Sequence, residues 1–167
     1  MTHFRFAVPV AALGLVLTSA GASSAAEPVN FGPFVESYAF TFSCGDFDAS
    51  ITGTSTTSAR RFVDADGNRI RIQRFVSAPA DVMVNLDTGK TVTVNAHFVQ
   101  TYNWATGTVT VTGFRYLVAG SGTGVTLKDA GRIIFADETE ESVLFQAGRH
   151  DTATPDLLGP ALCGAVA

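Results

Sequence analysis

Residues 34–44 of the chain read FVESYAFTFSC, and this stretch decides the fold. Aromatic side chains stand at every second position from Tyr38 to Phe42, with small or polar residues between them. A period of two is typical of a β-strand that buries one face. The same period recurs in shorter runs, which are Ile70–Ile72, Val82–Val84, Val92–Phe98, Val109–Val111 and Val143–Phe145. The sequence therefore predicts an all-β protein.

Turn-forming clusters separate these runs, and they lie at 64–68, 77–80, 87–90, 103–107 and 120–124. The gaps are too short for the helical crossovers that parallel strands need, so consecutive strands should pair antiparallel. We count about eight strands, at 35–44, 46–58, 59–63 joined to 69–76, 81–86, 90–101, 107–118, 124–136 and 141–149. Closure into a single up-and-down β-barrel would remove the two exposed edges. A β-sandwich is the alternative.

The N-terminus has the order of a secretory signal peptide. Arg5 precedes an apolar stretch from Phe6 to Leu17, and small residues continue to Ala26. We therefore predict cleavage before Glu27, a secreted protein, and one β-barrel domain over residues 27–167. The apolar stretch falls short of the roughly 20 residues that a transmembrane helix needs, and no transmembrane segment is predicted.

The predicted export decides how the two cysteines are interpreted. Cys44 ends the first predicted strand and Cys163 lies in the tail. In an oxidising compartment such a pair is most simply a disulfide bond. A reactive thiol is the alternative, but no His or Lys stands beside either cysteine to lower the thiol pKa. The disulfide would fasten the first strand to the tail.

Charge and histidine content narrow the function. The chain has a net charge of −4 and no basic stripe, which argues against nucleic acid as a partner. After the signal only His97 and His150 remain, without the spacing of metal ligands. We place His97 on the polar face of its strand and His150 at the surface beyond the last strand. The sequence predicts no catalytic residue, metal site or cofactor.

Side chains alternate between the two faces of a strand, and this alternation, here called strand parity, predicts that three charged residues point into the barrel. Arg74, Arg115 and Asp129 each share a face with apolar neighbours on their own strands. Unpaired charges inside a barrel are costly, so these side chains should pair with each other or meet a ligand. An apolar ligand that carries an anion would suit such an interior. Two alternatives remain: a bulge at Gly113 or Gly131 reverses the parity, or the arginines extend to the rim.

Tyr102 and Trp104 lie at the end of a predicted strand and in the turn that follows it. Aromatic side chains in such a position anchor a ligand or partner when exposed. Otherwise they cover the end of the core. We retain both as candidate binding residues.

A resemblance rests on three motifs. They are the early strand that ends in Cys44, the turn 85–90 followed by Val92–Asn95, and the late pair Leu162-Cys163. With the export signal, these resemble a group of small secreted actinobacterial proteins of unknown function. The overall layout is similar to the eight-stranded barrels of the lipocalin and allene oxide cyclase type. That likeness implies a barrel and carries over no catalytic residue.

Three functions remain open at this point. The leading hypothesis is a secreted binding module whose barrel holds a small apolar or amphipathic ligand. The second is a structural or interaction protein with a filled barrel. The third is an isomerase or cyclase that acts in a barrel cavity. The sequence makes no prediction about the oligomeric state.

Overall fold

The computed structural model of the protein describes residues 27–120, 122 and 124–167. The predicted signal peptide, residues 1–26, lies outside the described residues. The described part forms seven strands and one helix, which are β1 (Val29–Ser43), β2 (Asp48–Val63), β3 (Arg69–Asn85), β4 (Thr91–Asn103), β5 (Thr108–Gly120), β6 (Gly124–Phe135), β7 (Val143–His150) and α1 (Pro155–Val166).

The strands form one sheet in chain order, and each pairs antiparallel with the next. This confirms the prediction of an all-β, up-and-down antiparallel arrangement. Within the described residues, β1 and β7 are the two edges, and no hydrogen-bonded ladder joins them.

The structure has seven strands where the sequence predicts about eight, and the prediction is wrong at two places. Residues 59–63 continue β2 and are not joined to 69–76, which belong to β3. The cluster at 77–80 was predicted as a turn, yet it continues β3. Ala78 pairs with Ala96 and Asp81 pairs with Val94, so the two residues Pro79 and Ala80 lie opposite the single residue Asn95. A bulge tolerates proline because the missing amide donor falls where the ladder is already interrupted. Three predicted strands therefore form two, β2 and β3.

Two bulges bend the sheet. One places Pro79 and Ala80 of β3 opposite Asn95 of β4. The other places Arg115 and Tyr116 of β5 opposite Ala96 of β4, and it also interrupts the ladder between β5 and β6. Each bulge kinks its strand and increases the local twist. Because both bulges face the same part of β4, they curve the middle of the sheet in one place.

A row of glycines extends this bend to the edge of the sheet. Gly113, Gly131 and Gly148 face one another across β5, β6 and β7. All three have positive φ angles, at 121°, 141° and 110°, and a Cβ on any of them would overlap the backbone of the adjacent strand. Only glycine permits this close approach.

The helix covers one end of the sheet's buried face. Ala165 and Val166 of α1 pack in a core with apolar side chains from β2 to β6, which are Ala49, Ile51, Met83, Val92, Val94, Val118 and Leu127. α1 spans twelve residues, although Pro160 lies inside it. The length follows from tertiary packing, since burial of one apolar face stabilises a helix that is marginal alone.

Two further contacts fix the helix. Cys44 and Cys163 lie at disulfide distance, with their Cα atoms 5.5 Å apart, which confirms the predicted pair. Asn85 is buried at the β3–β4 turn, and its Nδ2 donates to the carbonyl oxygen of Val166 at 3.2 Å. The end of β1 and the turn after β3 thus both hold the C-terminal tail.

Candidate functional site

A cavity of about 340 Å³ lies between the buried face of the sheet and α1. Its walls are mostly apolar and aromatic. They are formed by Tyr38, Phe40, Ile51, Ser55, Val76, Ala78, Asp81, Val94, Ala96, Phe98, Arg115, Tyr116, Leu158 and Leu162. The volume and the small number of polar groups are those of a small-molecule site.

The cavity exists because the sheet is curved. Strands in a sheet lie about 4.8 Å apart, so β1 and β5 would be about 19 Å apart in a flat sheet. Tyr38 on β1 and Arg115 on β5 nevertheless line the same cavity. The bulges and glycines described above permit this curvature.

One polar end of the cavity is built around Asp81, whose side chain is buried. The Tyr38 hydroxyl donates a hydrogen bond to Asp81 Oδ2 from two strands away. Gly53 on β2 leaves the space between them, because a Cβ at this position would overlap the Asp81 carboxylate. Burial first, and then the hydrogen bond to Asp81, raises the pKa of the Tyr38 hydroxyl well above its ordinary value.

The gap between β2 and β3 also opens to the other face of the sheet. Pairing between the two strands stops after Thr52 and resumes at Thr56. A shallow depression of about 400 Å³ lies over this gap and shares Tyr38 and Asp81 with the cavity. The Asp81 carboxylate therefore lies where the two spaces meet.

The second polar group in the cavity is Arg115. Its Nη2 donates to Glu140 Oε2 at 2.8 Å, and both side chains are almost nine-tenths buried. Gln100 Nε2 donates to the other oxygen of Glu140 at 2.5 Å. Glu140 has a φ of 59°, a left-handed conformation that a residue other than glycine adopts at some cost. The contacts with Arg115 and Gln100 hold it there.

Two buried polar atoms of these groups lack a partner within the described residues. They are Asp81 Oδ1 and Arg115 Nη1. A buried polar atom without a hydrogen bond is uncommon, and such exceptions mark sites where a ligand or a water is expected. Both residues line the same cavity.

The three charged residues that strand parity predicted for the barrel interior lie in three different places. Arg115 lies inside, as the extra residue of the β5 bulge, and the bulge turns Tyr116 inward to pair with Asp129. Arg74 is exposed to solvent. Its strand neighbour Val76 lines the cavity, but Arg74 itself is not among the lining residues. The three side chains do not form one cluster.

Asp129 belongs to a different, buried group. Its Oδ1 lies 2.5 Å from Nδ1 of His150, and Thr152 Oγ1 donates to its Oδ2 at 2.8 Å. Nε2 of His150 donates to the carbonyl oxygen of Ala147 at 3.1 Å. The prediction that His150 is at the surface is therefore wrong, because Asp129 and Ala147 draw the imidazole inward and leave 4% of it exposed. This group fastens the edge strand β7 to β6.

Tyr102 and Trp104 border a separate depression of about 250 Å³. Tyr102 packs against the core beside Val109, whereas Trp104 is 47% exposed in the β4–β5 turn. Asp137 and Glu138 form the opposite wall. Neither aromatic residue reaches the cavity under α1. His97 is exposed on the outer face of β4, as predicted.

Sequence reasoning missed Tyr38, Asp81 and Glu140 as site residues. Tyr38 gave a signal, since it shares a strand face with Phe40 and Phe42. Asp81 gave none, because it follows a segment that was predicted as a turn. Glu140 lies in the acidic segment 137–141, which has the composition of a solvated loop.

Comparison of the chain with protein-family models, curated proteins and solved structures finds no match. Among the residues that the structure describes, no group of three or more His, Cys, Asp or Glu side chains is placed to hold a metal ion. The described part of the chain has no helix that combines the length and apolar character needed to cross a bilayer.

Proposed function

We propose that this chain is an exported protein that binds a small amphipathic molecule in the cavity between the curved sheet and α1. The observation that carries the proposal is the cavity of about 340 Å³ itself, with apolar walls and two buried polar atoms without partners, Asp81 Oδ1 and Arg115 Nη1. An amphipathic molecule would bury its apolar part against the walls and offer hydrogen bonds to these atoms. A filled barrel would offer neither space nor unpaired groups.

Export is part of the same proposal. The charged, apolar and small-residue order of residues 1–26 supports it, and so does the cysteine pair at disulfide distance. Expression in a secreting host should deliver to the medium a protein whose first residue is Glu27. N-terminal sequencing of the secreted material tests this, and retention of the full chain inside the cell would contradict it.

We also propose that the sheet works as a barrel. Residues from β1 to β5 surround one cavity, and the cysteine pair connects the end of β1 with the segment that follows β7. Hydrogen exchange distinguishes a barrel that α1 closes from one that a β1–β7 ladder closes. With closure by α1, the β1 amides that point away from β2 exchange quickly. Slow exchange of these amides would instead indicate a ladder between the edge strands.

Ligand binding is tested with pyrene, a neutral aromatic probe whose emission reports the polarity around it. We expect saturable binding with one site per chain and the emission of an apolar environment. The variant Ala96→Leu places three extra carbons at a wall of the cavity and should weaken binding by about tenfold. Ala39→Leu is the matched control, because Ala39 is exposed on β1.

Two results would overturn the proposal. One is the absence of saturable binding to a protein that melts cooperatively. The other is equal affinity in the wild type and in a folded Ala96→Leu variant. Either result would favour the structural or interaction role.

A further inference from the structure

The charges in the cavity are not balanced. Arg115 is neutralised by Glu140 at 2.8 Å. Asp81 is 5% exposed and takes part in no ion pair within the described residues. Its one hydrogen-bond partner there is the Tyr38 hydroxyl, which is neutral. The cavity therefore has an unmatched carboxylate and no unmatched cation.

Burial makes this carboxylate a strong determinant of what can bind. An ionised carboxylate that leaves water is stabilised chiefly by an opposite charge or by several donors, and Oδ1 of Asp81 has neither. A ligand with a second carboxylate would add repulsion at the same end of the cavity. A ligand with a protonated amine would supply both the charge and an N–H donor.

Aromatic side chains form part of the walls of the same cavity. Tyr38 carries the donor to Asp81, and Phe40, Phe98 and Tyr116 belong to the same walls. Ring faces attract a cation and also pack against an apolar body. A buried carboxylate between aromatic walls suits a cationic amphiphile better than a neutral or anionic one.

We propose that the ligand is a protonated amine on an apolar body that fits about 340 Å³, with its ammonium group at Asp81. This replaces the anionic group that parity suggested, since Arg74 is exposed and Arg115 already has its carboxylate. The inference rests on the proposed function, because it names the chemistry of the molecule in the same cavity.

Three probes of nearly equal size and shape separate charge from hydrophobicity. They are phenethylamine, phenethyl alcohol and hydrocinnamate, which are cationic, neutral and anionic at neutral pH. Calorimetric titration of the protein produced from the full sequence should give about tenfold tighter binding for the amine than for the alcohol, and the weakest binding for the carboxylate. Equal affinities, or a preference for hydrocinnamate, would overturn the inference.

Substitution at Asp81 tests the residue itself. Asp81→Asn keeps the shape of the side chain over Gly53 and removes the charge. We expect this substitution to weaken the binding of phenethylamine about tenfold and to change the affinity for phenethyl alcohol less than about threefold. Asp46→Asn removes an exposed carboxylate from the nearby β1–β2 turn and should leave both affinities unchanged. An amine preference that persists in Asp81→Asn would overturn the inference.

The outcomes for the two proposals remain distinguishable. Saturable pyrene binding without a preference for the amine leaves the proposed function standing and overturns the inference. Failure of pyrene and of all three probes overturns both. Because the probe series is measured first in the wild type, the inference stays testable even if Asp81→Asn does not fold.

Discussion

Tyr38 on β1 donates a hydrogen bond to Asp81 on β3 across the whole width of the intervening strand. The backbones of two strands that have a third strand between them are normally about 10 Å apart. They meet here because β2 has a glycine between them and because its ladder with β3 is interrupted at this point. A break in the sheet thus creates the polar end of the cavity.

The glycine beneath this contact gives the first prediction. Gly53→Ala places a methyl group where the Asp81 carboxylate lies, so the carboxylate or β3 must move. We expect the free energy of unfolding to fall by about 1–3 kcal/mol, the usual cost of overpacking. Urea denaturation measures it.

A glycine elsewhere in the chain provides the matched control for Gly53→Ala. Gly159 lies in α1, and a Cβ added to it would meet open space. Gly159→Ala should raise stability by about 0.5–1 kcal/mol through helix propensity. If Gly53→Ala were as stable as the wild type, the close packing of Asp81 over Gly53 would be refuted.

The pair between Arg115 and Glu140 gives the second prediction. Glu140→Gln leaves a buried guanidinium without its carboxylate, and the loss of one member of a buried ion pair costs about 3–5 kcal/mol. We expect a loss near the lower value, measured by urea denaturation. Glu138→Gln, an exposed change in the same turn, should stay within about 0.5 kcal/mol of the wild type. Equal effects of the two substitutions would contradict a structural ion pair.

The cysteine pair gives the third prediction. It closes a loop of 119 residues, and the chain-entropy model assigns about 5 kcal/mol to a loop of that length as an upper figure. Substitution of both cysteines by serine should therefore lower the urea midpoint markedly. We also expect α1 to become sensitive to limited proteolysis, because the bond holds the helix to the end of β1. An unchanged midpoint and an intact helix would show that packing alone secures the tail.

The β2–β3 turn gives a prediction about pH. The Asp64 carboxylate accepts hydrogen bonds from the backbone amides of Asn68 and Asp66 and from the Asn68 side chain, at 2.8, 3.0 and 3.1 Å. These bonds, with that from the Asn68 amide foremost, lower the pKa of Asp64. A lowered pKa in the folded state stabilises the protein above the unfolded pKa of about 3.9, and the contribution is lost as pH falls through the folded value.

The measurement for Asp64 is a comparison of melting temperatures over acidic pH. At neutral pH the wild type should have a higher melting temperature than Asp64→Ala. The difference in melting temperature should shrink as the solution is acidified below the ordinary pKa of an aspartate. Asp66→Ala is the control, since the Asp66 side chain accepts none of these bonds. A difference that remains constant down to the acid limit would show that the carboxylate charge is not involved.

Much of the fold could be predicted from the amino-acid sequence. The period of two at Tyr38, Phe40 and Phe42 predicts which side chains share one face of a strand, because side chains alternate across it, and Tyr38 and Phe40 do line the same cavity. Short turns between strands then require antiparallel neighbours. The pairing of Cys44 with Cys163 could be predicted from the number of cysteines and the predicted export. The inward position of Arg115 and Asp129 also followed from parity.

The candidate site could be predicted only in part. Strand parity assumes strict alternation along one strand and takes no account of an extra residue. The bulge at Arg115, which turns Tyr116 inward, could therefore not be predicted from the period of two. Pro79 and Ala80 carried the composition of a turn, although they form a bulge inside β3. Asp81 was overlooked for the same reason. His150 was misplaced because its partner Asp129 lies on another strand.

The sequence by itself determined the class of fold, the order of the strands and the bond that ties the tail to β1. These properties depend on local periodicity, on loop length and on the number of cysteines, all of which can be counted in the sequence. Only the tertiary structure decided that the sheet curves, that α1 covers it, and that Asp81 has a hydrogen bond from Tyr38 but no ion-pair partner among the described residues. Curvature sums small bends at bulges and glycines on several strands, and the balance of charges in a cavity depends on which strands that curvature brings together.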